Sequence, residues 1–121
     1  MYQGNFEKLD VWKKSHLFVL KIYKVTKLFP NEEKFSLTDQ VKRSALSIAA
    51  NIVEGNEKRT RKDFTQFLYI SKASLAETKY HLILAKDLYY IKENTFYELL
   101  EDANEIGRLI NGLIKYLSNS P

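Results

Sequence analysis

The sequence predicts an all-α protein, an antiparallel up-down-up-down four-helix bundle. Apolar residues recur every three or four positions in four long segments, which is the pattern of helices that bury one face. Only four glycines and two prolines occur in the 121 residues, so few positions interrupt these segments. The connections are short, which places consecutive helices antiparallel. We expect one bundle domain over residues 1–121.

The first helix is expected over residues 10–28. Asp10 is a candidate N-cap. The helix should stop before Pro30, because a proline disfavours helical geometry in the residue that precedes it. The residues predicted to face the core are Trp12, Val19, Ile22, Tyr23 and Thr26.

The second helix is expected over residues 37–54. Ser36 and Asp39 have the spacing of a capping box at its start. Gly55 is predicted to end it in a left-handed conformation, which costs glycine nothing sterically. The predicted core residues are Leu37, Val41, Ala45, Ile48 and Ile52.

The third helix is expected over residues 61–89, with Thr60 as N-cap and Asp63 as the acidic residue three positions later. Its predicted core residues are Phe64, Phe67, Leu68, Ser71, Leu75, Leu82 and Tyr89.

The fourth helix is expected over residues 96–117, where Thr95 and Glu98 again have capping-box spacing. Its predicted core residues are Phe96, Leu99, Ala103, Ile106, Ile110, Leu113 and Leu117.

The charge distribution is uneven along the chain. The net charge is +4, but residues 1–62 hold 13 Lys and Arg against 7 Asp and Glu, whereas residues 63–121 hold 6 against 8. This asymmetry indicates either an anionic partner or a self-complementary surface, and the alternative is a solvated lysine-rich face.

Cysteine is absent, so the chain has no disulfide, thiolate metal site or thiol nucleophile, and we expect a cytoplasmic protein. No secretory signal is visible, and no apolar run approaches the ~20 residues that a membrane span needs.

Catalytic and metal-binding motifs are not apparent. His16 and His81 are the only histidines. Glu77 precedes His81 by four positions rather than the three of a di-iron bundle, and the motif has no second copy. No nucleophile motif or glycine-rich phosphate loop occurs. We therefore expect no enzymatic activity, no metal and no cofactor.

A cluster of cations separates the second and third helices. We call it the basic corner, and it consists of Lys58, Arg59, Arg61 and Lys62. Arg61 and Lys62 would lie in the first turn of a helix, where cations oppose the helix dipole. An unfavourable charge position that brings no evident gain in stability indicates a functional site. The N–H groups of that turn have no helical acceptor, which makes a phosphate the favoured ligand. The alternative is a solvated loop.

A polar stripe follows the second helix, formed by Gln40, Arg43, Ser47, Asn51 and Glu54. A hydrogen-bonded seam is the favoured interpretation. Alternatively, Arg43 and Asn51 face a ligand or a pore, and Arg43 is therefore a further candidate for nucleic-acid binding.

The third helix carries a second apolar stripe on its opposite side. This outer stripe consists of Tyr69, Ala73, Ala76, Tyr80 and Leu84. A bundle monomer needs only one buried stripe on each helix, so the second predicts self-association. The acidic face of the fourth helix could then meet a lysine-rich face of a neighbour and close a ring; its residues are Glu98, Glu101, Asp102 and Glu105.

Five motifs in the first 68 residues carry a resemblance to known proteins. They are residues 9–16 (LDVWKKSH), Phe29-Pro30 with Glu33 and Phe35, residues 37–48 (LTDQVKRSALSI), residues 51–55 (NIVEG), and Asp63-Phe64 with Phe67-Leu68. Taken together, these motifs resemble the bacterial four-helix bundle proteins encoded within intervening sequences of 23S ribosomal RNA genes, some of which carry a ribosomal-protein label. The sequence is also similar to the accessory variability proteins of diversity-generating retroelements.

The resemblance implies a homopentameric ring with a cationic surface, and its retroelement relatives bind nucleic acid and a reverse transcriptase. Ser36, Ser44 and Val53 depart from the usual residues as packing variations. Our hypothesis is a non-enzymatic pentamer that contacts the phosphates of RNA or DNA. The alternative is a scaffold that docks an acidic partner such as a reverse transcriptase, without direct nucleic-acid binding. The residues that match the family signature, without an assigned chemistry, are Gln40, Arg43, Asn51, Glu54 and Gly55.

Overall fold

The computed structural model describes residues 5–119, and their secondary structure is helical. Helix α1 packs on α2 and α4, and α3 packs on the same two helices, which gives the four-cornered bundle that the sequence predicts. No helix in this described range is long and apolar enough to span a membrane. The α-helices are α1 (Asp10–Val25), α2 (Leu37–Asn56), α3 (Arg61–Asp87) and α4 (Glu93–Ser118), and short 3-10 helices occupy Asn5–Lys8, Thr26–Leu28 and Asn31–Glu33.

The core follows the predicted stripes closely. All five predicted residues of α2 are buried, as are six of the seven in α4. The pattern missed Phe18, which is only 1% exposed, while Tyr23 lies at the edge of α1 with the Lys42 ammonium 4.9 Å from its ring centre. Trp12 is partly buried between the rings of Phe6 and His16.

Helix α1 differs from the prediction at one end only. Asp10 is its first helical residue, and Leu9 occupies the N-cap without a side-chain hydrogen bond, so the predicted Asp10 cap is wrong. At the other end a 3-10 turn continues to Leu28, and Phe29 is extended with ψ 149° before Pro30, as expected.

Helix α2 is capped by a residue that the sequence pattern did not identify. Ser36 stands at the N-cap position, but its hydroxyl donates to Glu33 Oε1 at 2.5 Å instead of accepting from the helix. The same carboxylate accepts the Leu37 N–H at 3.3 Å and the Tyr90 hydroxyl at 2.7 Å. The bonds from Ser36, Tyr90 and Leu37, in that order, lower the pKa of Glu33. The bond to Glu33 raises the pKa of Tyr90 to about 12.

Gly55 has a different role from the one predicted. It lies inside α2, which continues to Asn56, and no described glycine has a positive φ. A Cβ at this position would lie 2.8 Å from Phe67 Cβ and 2.9 Å from Phe64 Cδ1. Glycine is therefore required by the close approach of α2 and α3, and the predicted left-handed cap is wrong.

Hydroxyl groups and small side chains fill the rest of the α2–α3 contact. Ser71 donates to the Ile48 carbonyl at 2.6 Å, and Ser47 Oγ lies 2.8 Å from Ser74 Oγ. Asn51 Nδ2 donates to the Ser47 carbonyl at 2.8 Å. We call this contact the hydroxyl seam; it confirms the favoured interpretation for Ser47 and Asn51. The other three residues of the polar stripe, Gln40, Arg43 and Glu54, are exposed.

The Thr60 cap of α3 is confirmed, since its hydroxyl accepts the Asp63 N–H at 3.1 Å. The far end of α3 differs from the prediction. Tyr89 lies beyond the helix with φ 64°, and its side chain is 92% exposed, so its assignment to the core is wrong. The N–H groups of Tyr89 and Tyr90 donate to the carbonyls of Lys86 and Ala85 at 2.9 and 2.8 Å, which is a Schellman ending.

Helix α4 begins at Glu93 with Lys92 at the N-cap, three residues before the predicted start. The predicted Thr95–Glu98 capping box is therefore wrong. Asn94 Oδ1 instead accepts the Thr95 N–H at 2.9 Å within the first turn.

Gly55→Ala tests the close approach of α2 and α3. Overpacking costs about 1–3 kcal/mol, and the gain in helix propensity offsets about 1 kcal/mol of that cost. We expect the free energy of unfolding to fall by up to about 2 kcal/mol, measured by denaturant unfolding. Gly112→Ala in α4 is the matched control, because a Cβ there meets nothing within 4 Å. The control should gain about 0.5–1 kcal/mol. Equal gains in both variants would contradict this account.

Tyr89→Gly tests the strain in the turn after α3. A non-glycine residue in the left-handed region costs about 1–2 kcal/mol, part of which glycine loses again through its more flexible unfolded chain. We expect the variant to unfold at a higher denaturant concentration than the natural chain, while Tyr89→Ala, which keeps the Cβ, stays unchanged. A destabilised glycine variant would show that the exposed ring contributes to the fold.

Candidate nucleic-acid interface

The basic corner lies at the end of the bundle where α2 stops, α3 starts and α4 stops. The Lys58 N–H donates to the Gly55 carbonyl at 3.0 Å, which closes the last turn of α2. Thr60 then caps α3. All four cations of the corner are exposed, as the sequence pattern led us to expect.

Arg61 joins the start of α3 to the end of α4. Its guanidinium carbon lies 5.2 Å from the centre of the Tyr116 ring, and Nη1 donates to the Tyr116 carbonyl at 3.4 Å. That carbonyl belongs to the last turn of α4, where oxygens lack helical partners and the dipole favours a cation. Arg61 opposes the dipole of its own helix but complements that of α4. The expectation that its charge brings no gain to the fold is therefore wrong.

Lys58 also contributes to the fold. Its ammonium lies 5.0 Å from the centre of the Phe67 ring, next to the point where Gly55 meets α3. A cation over an aromatic ring at a partly exposed site contributes about 0.5–1 kcal/mol. The Lys58 ammonium therefore stabilises the packing of α2 on α3, and it is also exposed to a ligand.

Arg59 and Lys62 differ from the other two cations of the corner. Within residues 5–119 neither side chain forms a hydrogen bond, an ion pair or a ring contact. Both are exposed beside the first turn of α3, whose leading N–H groups have no helical acceptor. These two cations, together with the N–H groups of the first turn that lack helical acceptors, can hold an anion such as a phosphate.

A groove runs beside the corner between the start of α3 and the end of α4. We call it the terminal groove; it is lined on α3 by Arg61, Lys62, Thr65, Gln66 and Tyr69 and on α4 by Leu117 and Ser118. Tyr69 is 55% exposed, and Tyr116, which stacks with Arg61, is 63% exposed. The sequence pattern did not single out Tyr116, because nothing in its own helix indicates that α3 begins beside it.

Arg43 does not join the basic corner. Its Nε donates to Asp39 Oδ2 at 2.9 Å, one turn earlier on α2. It lies twelve residues before Gly55, which is about 18 Å along the helix axis. A single ligand at the corner would have to extend along α2 to reach it.

The outer stripe is open to solvent in the single chain. Tyr69, Ala73, Ala76 and Tyr80 are exposed and Leu84 is half-buried. The neighbouring Ile70 and Ile83 are 49% and 40% exposed, which widens the apolar face. The role of this face as an interface stays a prediction.

The acidic face of α4 is largely engaged within the chain. Lys14 pairs with Glu105 at 3.2 Å, and Lys21 pairs with Asp102 at 2.7 Å. Because α1 and α4 are neighbours, these two lysines pair with carboxylates of α4 in the same chain. The predicted ring contact therefore has fewer unpaired carboxylates than the sequence pattern indicated.

Both histidines are packed against protein groups. His81 is buried with Nδ1 3.1 Å from Ser44 Oγ and Nε2 3.6 Å from Glu77 Oε2. Burial lowers the pKa of His81, and the nearby Glu77 carboxylate partly counters that effect. His16 stacks on Trp12 with the ring centres 5.1 Å apart. Among the described residues, no three His, Asp or Glu side chains form a group that could hold a metal ion.

The family of the chain follows from comparison with known proteins. The family model described as 23S rRNA-intervening sequence protein matches residues 7–112. Curated proteins give no match. A crystal structure of a protein of unknown function from the S23 ribosomal protein family of Bacteroides thetaiotaomicron is 35% identical, with a TM-score of 0.81 over 87% of this chain and 98% of that chain. The chain therefore belongs to the 23S rRNA-intervening sequence protein family.

Proposed function

We propose that this protein is a non-enzymatic, cytoplasmic, oligomeric bundle that binds the backbone of RNA or DNA through the basic corner. The observation that carries the proposal is the position of Arg59 and Lys62, which have no side-chain partner within residues 5–119, beside the N–H groups at the start of α3 that lack helical acceptors. Arg61 and Lys58 add positive charge from fixed positions. Binding of this kind is sequence-independent and weakens as salt is raised.

We further propose that the chain self-associates through the outer stripe of α3. The support is the width of the exposed apolar face, which includes Tyr80 and Ile83. The pentameric ring implied by the family resemblance is the expected assembly. A ring would repeat the basic corner around its axis, and repeated weak phosphate contacts strengthen binding without any new type of contact.

A second candidate function is supported by the outer face of α1. Residues 11–28 contain five lysines and no acidic residue. Leu17, Leu20 and Leu28 are 55%, 52% and 71% exposed among these lysines. A face that mixes leucine and lysine is complementary to an acidic amphipathic segment of a protein. This favours a scaffold that docks an acidic partner, such as a reverse transcriptase.

Replacing Arg59 and Lys62 by glutamate tests the nucleic-acid proposal. The double variant should lose most affinity for labelled RNA and DNA at low salt. The plot of log affinity against log salt should become shallower by about one for each phosphate that the variant no longer neutralises. Fluorescence polarisation at several salt concentrations measures both quantities. Arg61 is left intact because it supports the end of α4.

The matched control carries the same charge change at the opposite end of the bundle, as Lys27→Glu with Lys92→Glu. Both lysines are exposed and lie next to the ends of α1 and α4 that are remote from the corner. The control should bind nearly as well as the natural chain. Equal reductions of affinity in the two double variants, or no binding by the natural chain at low salt, would reject the proposed site.

Ala76→Glu with Tyr80→Glu tests the outer stripe. Charges placed in an apolar contact remain unpaired, so the variant should have a lower mass by light scattering than the natural chain. Leu17→Glu on the exposed face of α1 is the control and should leave the mass unchanged. A natural chain that is monomeric at micromolar concentration would contradict self-association.

A further inference from the structure

We infer that the terminal groove takes single-stranded nucleic acid, with bases stacked on Arg61–Tyr116 and on Tyr69 and phosphates held by Lys62 and Arg59. The inference rests on the proposed function, and it adds the form of the ligand and the residues that contact its bases. It is carried by the flat and cationic side chains that α3 presents to the groove, one of which lies over the Tyr116 ring of α4.

Arg61, which lines the groove, forms a preassembled stacking surface with Tyr116, the ring on which it lies. The Arg61 guanidinium lies 5.2 Å from the Tyr116 ring centre and is held there by its bond to the Tyr116 carbonyl. Both guanidinium planes and tyrosine rings stack against unpaired bases. Because the protein already fixes the arginine, little additional side-chain freedom is lost when a base binds.

Tyr69 and Lys62 supply another ring and a further positive charge. Tyr69 lines the groove from α3 together with Lys62 and Gln66, and its side chain is 55% exposed. Gln66 and Ser118 add groups that can donate to or accept from base edges. Cations interleaved with exposed rings are the pattern used by proteins that follow a single strand.

The combination of rings and cations favours a single strand over a nucleic-acid duplex and over an acidic peptide. In a duplex the flat base faces are stacked inside, so only phosphates would reach the groove and the tyrosines would contribute nothing. An acidic peptide would neutralise Arg59 and Lys62 but would leave both tyrosine faces without a stacked partner. A single strand uses the charges and the rings together.

The proposed stacking role gives Tyr69 a different function from the other residues of the outer stripe. Tyr69 lies about three turns before Tyr80 on α3, at the end of the stripe that borders the groove. Self-association should accordingly depend on Ala76 and Tyr80 and not on Tyr69.

The test is Tyr69→Ala with Tyr116→Ala in the full chain. The probes are labelled oligouridylate and a blunt-ended RNA duplex with the same number of phosphates, at one low salt concentration. The natural chain should bind the single strand more tightly than the duplex. The affinity of the double variant for the single strand should fall about 5- to 100-fold, with the affinity for the duplex unchanged. Circular dichroism establishes that the variant is folded.

Two further variants make the result specific. Tyr69→Phe with Tyr116→Phe should restore single-strand binding, because stacking needs the ring and not the hydroxyl. Tyr97→Ala is the matched control, since Tyr97 is an exposed tyrosine of α4 at the opposite end of the bundle, 55% exposed. It should leave both affinities unchanged.

The outcomes separate this inference from the proposed function. If the tyrosine variant binds both RNAs normally while the Arg59 and Lys62 variant binds neither, the stacking role is overturned and phosphate binding stands. If the natural chain binds neither RNA but binds polyglutamate, both are overturned. If Tyr69→Ala alone lowers the mass in light scattering, Tyr69 belongs to the subunit contact and its stacking role is overturned.

Discussion

The close approach of α2 and α3 is the constraint on which the rest of the structure depends. Gly55 lies against Phe64 and Phe67, where a Cβ would come within 2.9 Å of either side chain. Small side chains and hydroxyls continue the contact along both helices, and their hydrogen bonds satisfy polar groups that burial would otherwise leave unpaired. The approach brings the end of α2 and the start of α3 so close that the connection is a tight corner.

The geometry of this corner determines which protein groups the cations contact. Because α3 starts beside the end of α4, Arg61 reaches the Tyr116 ring and carbonyl, and its charge complements the α4 dipole. Lys58 covers Phe67 in the same way. Fold and candidate site therefore share one set of cations: Arg61 and Lys58 are held by protein groups, whereas Arg59 and Lys62 have no partner within residues 5–119.

The helix N-caps show which contacts can be predicted from local sequence spacing. Thr60 caps α3 as its spacing with Asp63 predicts, because both groups lie in one turn of chain. Ser36 has the same spacing with Asp39, yet Glu33 takes the capping role at α2, since Tyr90 from the α3–α4 connection also bonds to its carboxylate. Thr95 fails because α4 starts earlier, at Glu93. Spacing therefore identifies a cap only when the helix begins at the expected residue and no other side chain binds the same groups.

The sequence by itself determined the number of helices, their buried faces, the position of the basic corner and the family, since periodicity and motif spacing are properties of consecutive residues. Only the tertiary structure decided what those residues contact. It placed Gly55 against two phenylalanines, paired Asp102 and Glu105 with lysines of α1, and joined Arg61 to Tyr116. Each of these contacts joins residues from different helices, so which partners meet depends on how the helices pack, and helical spacing within one segment does not encode it.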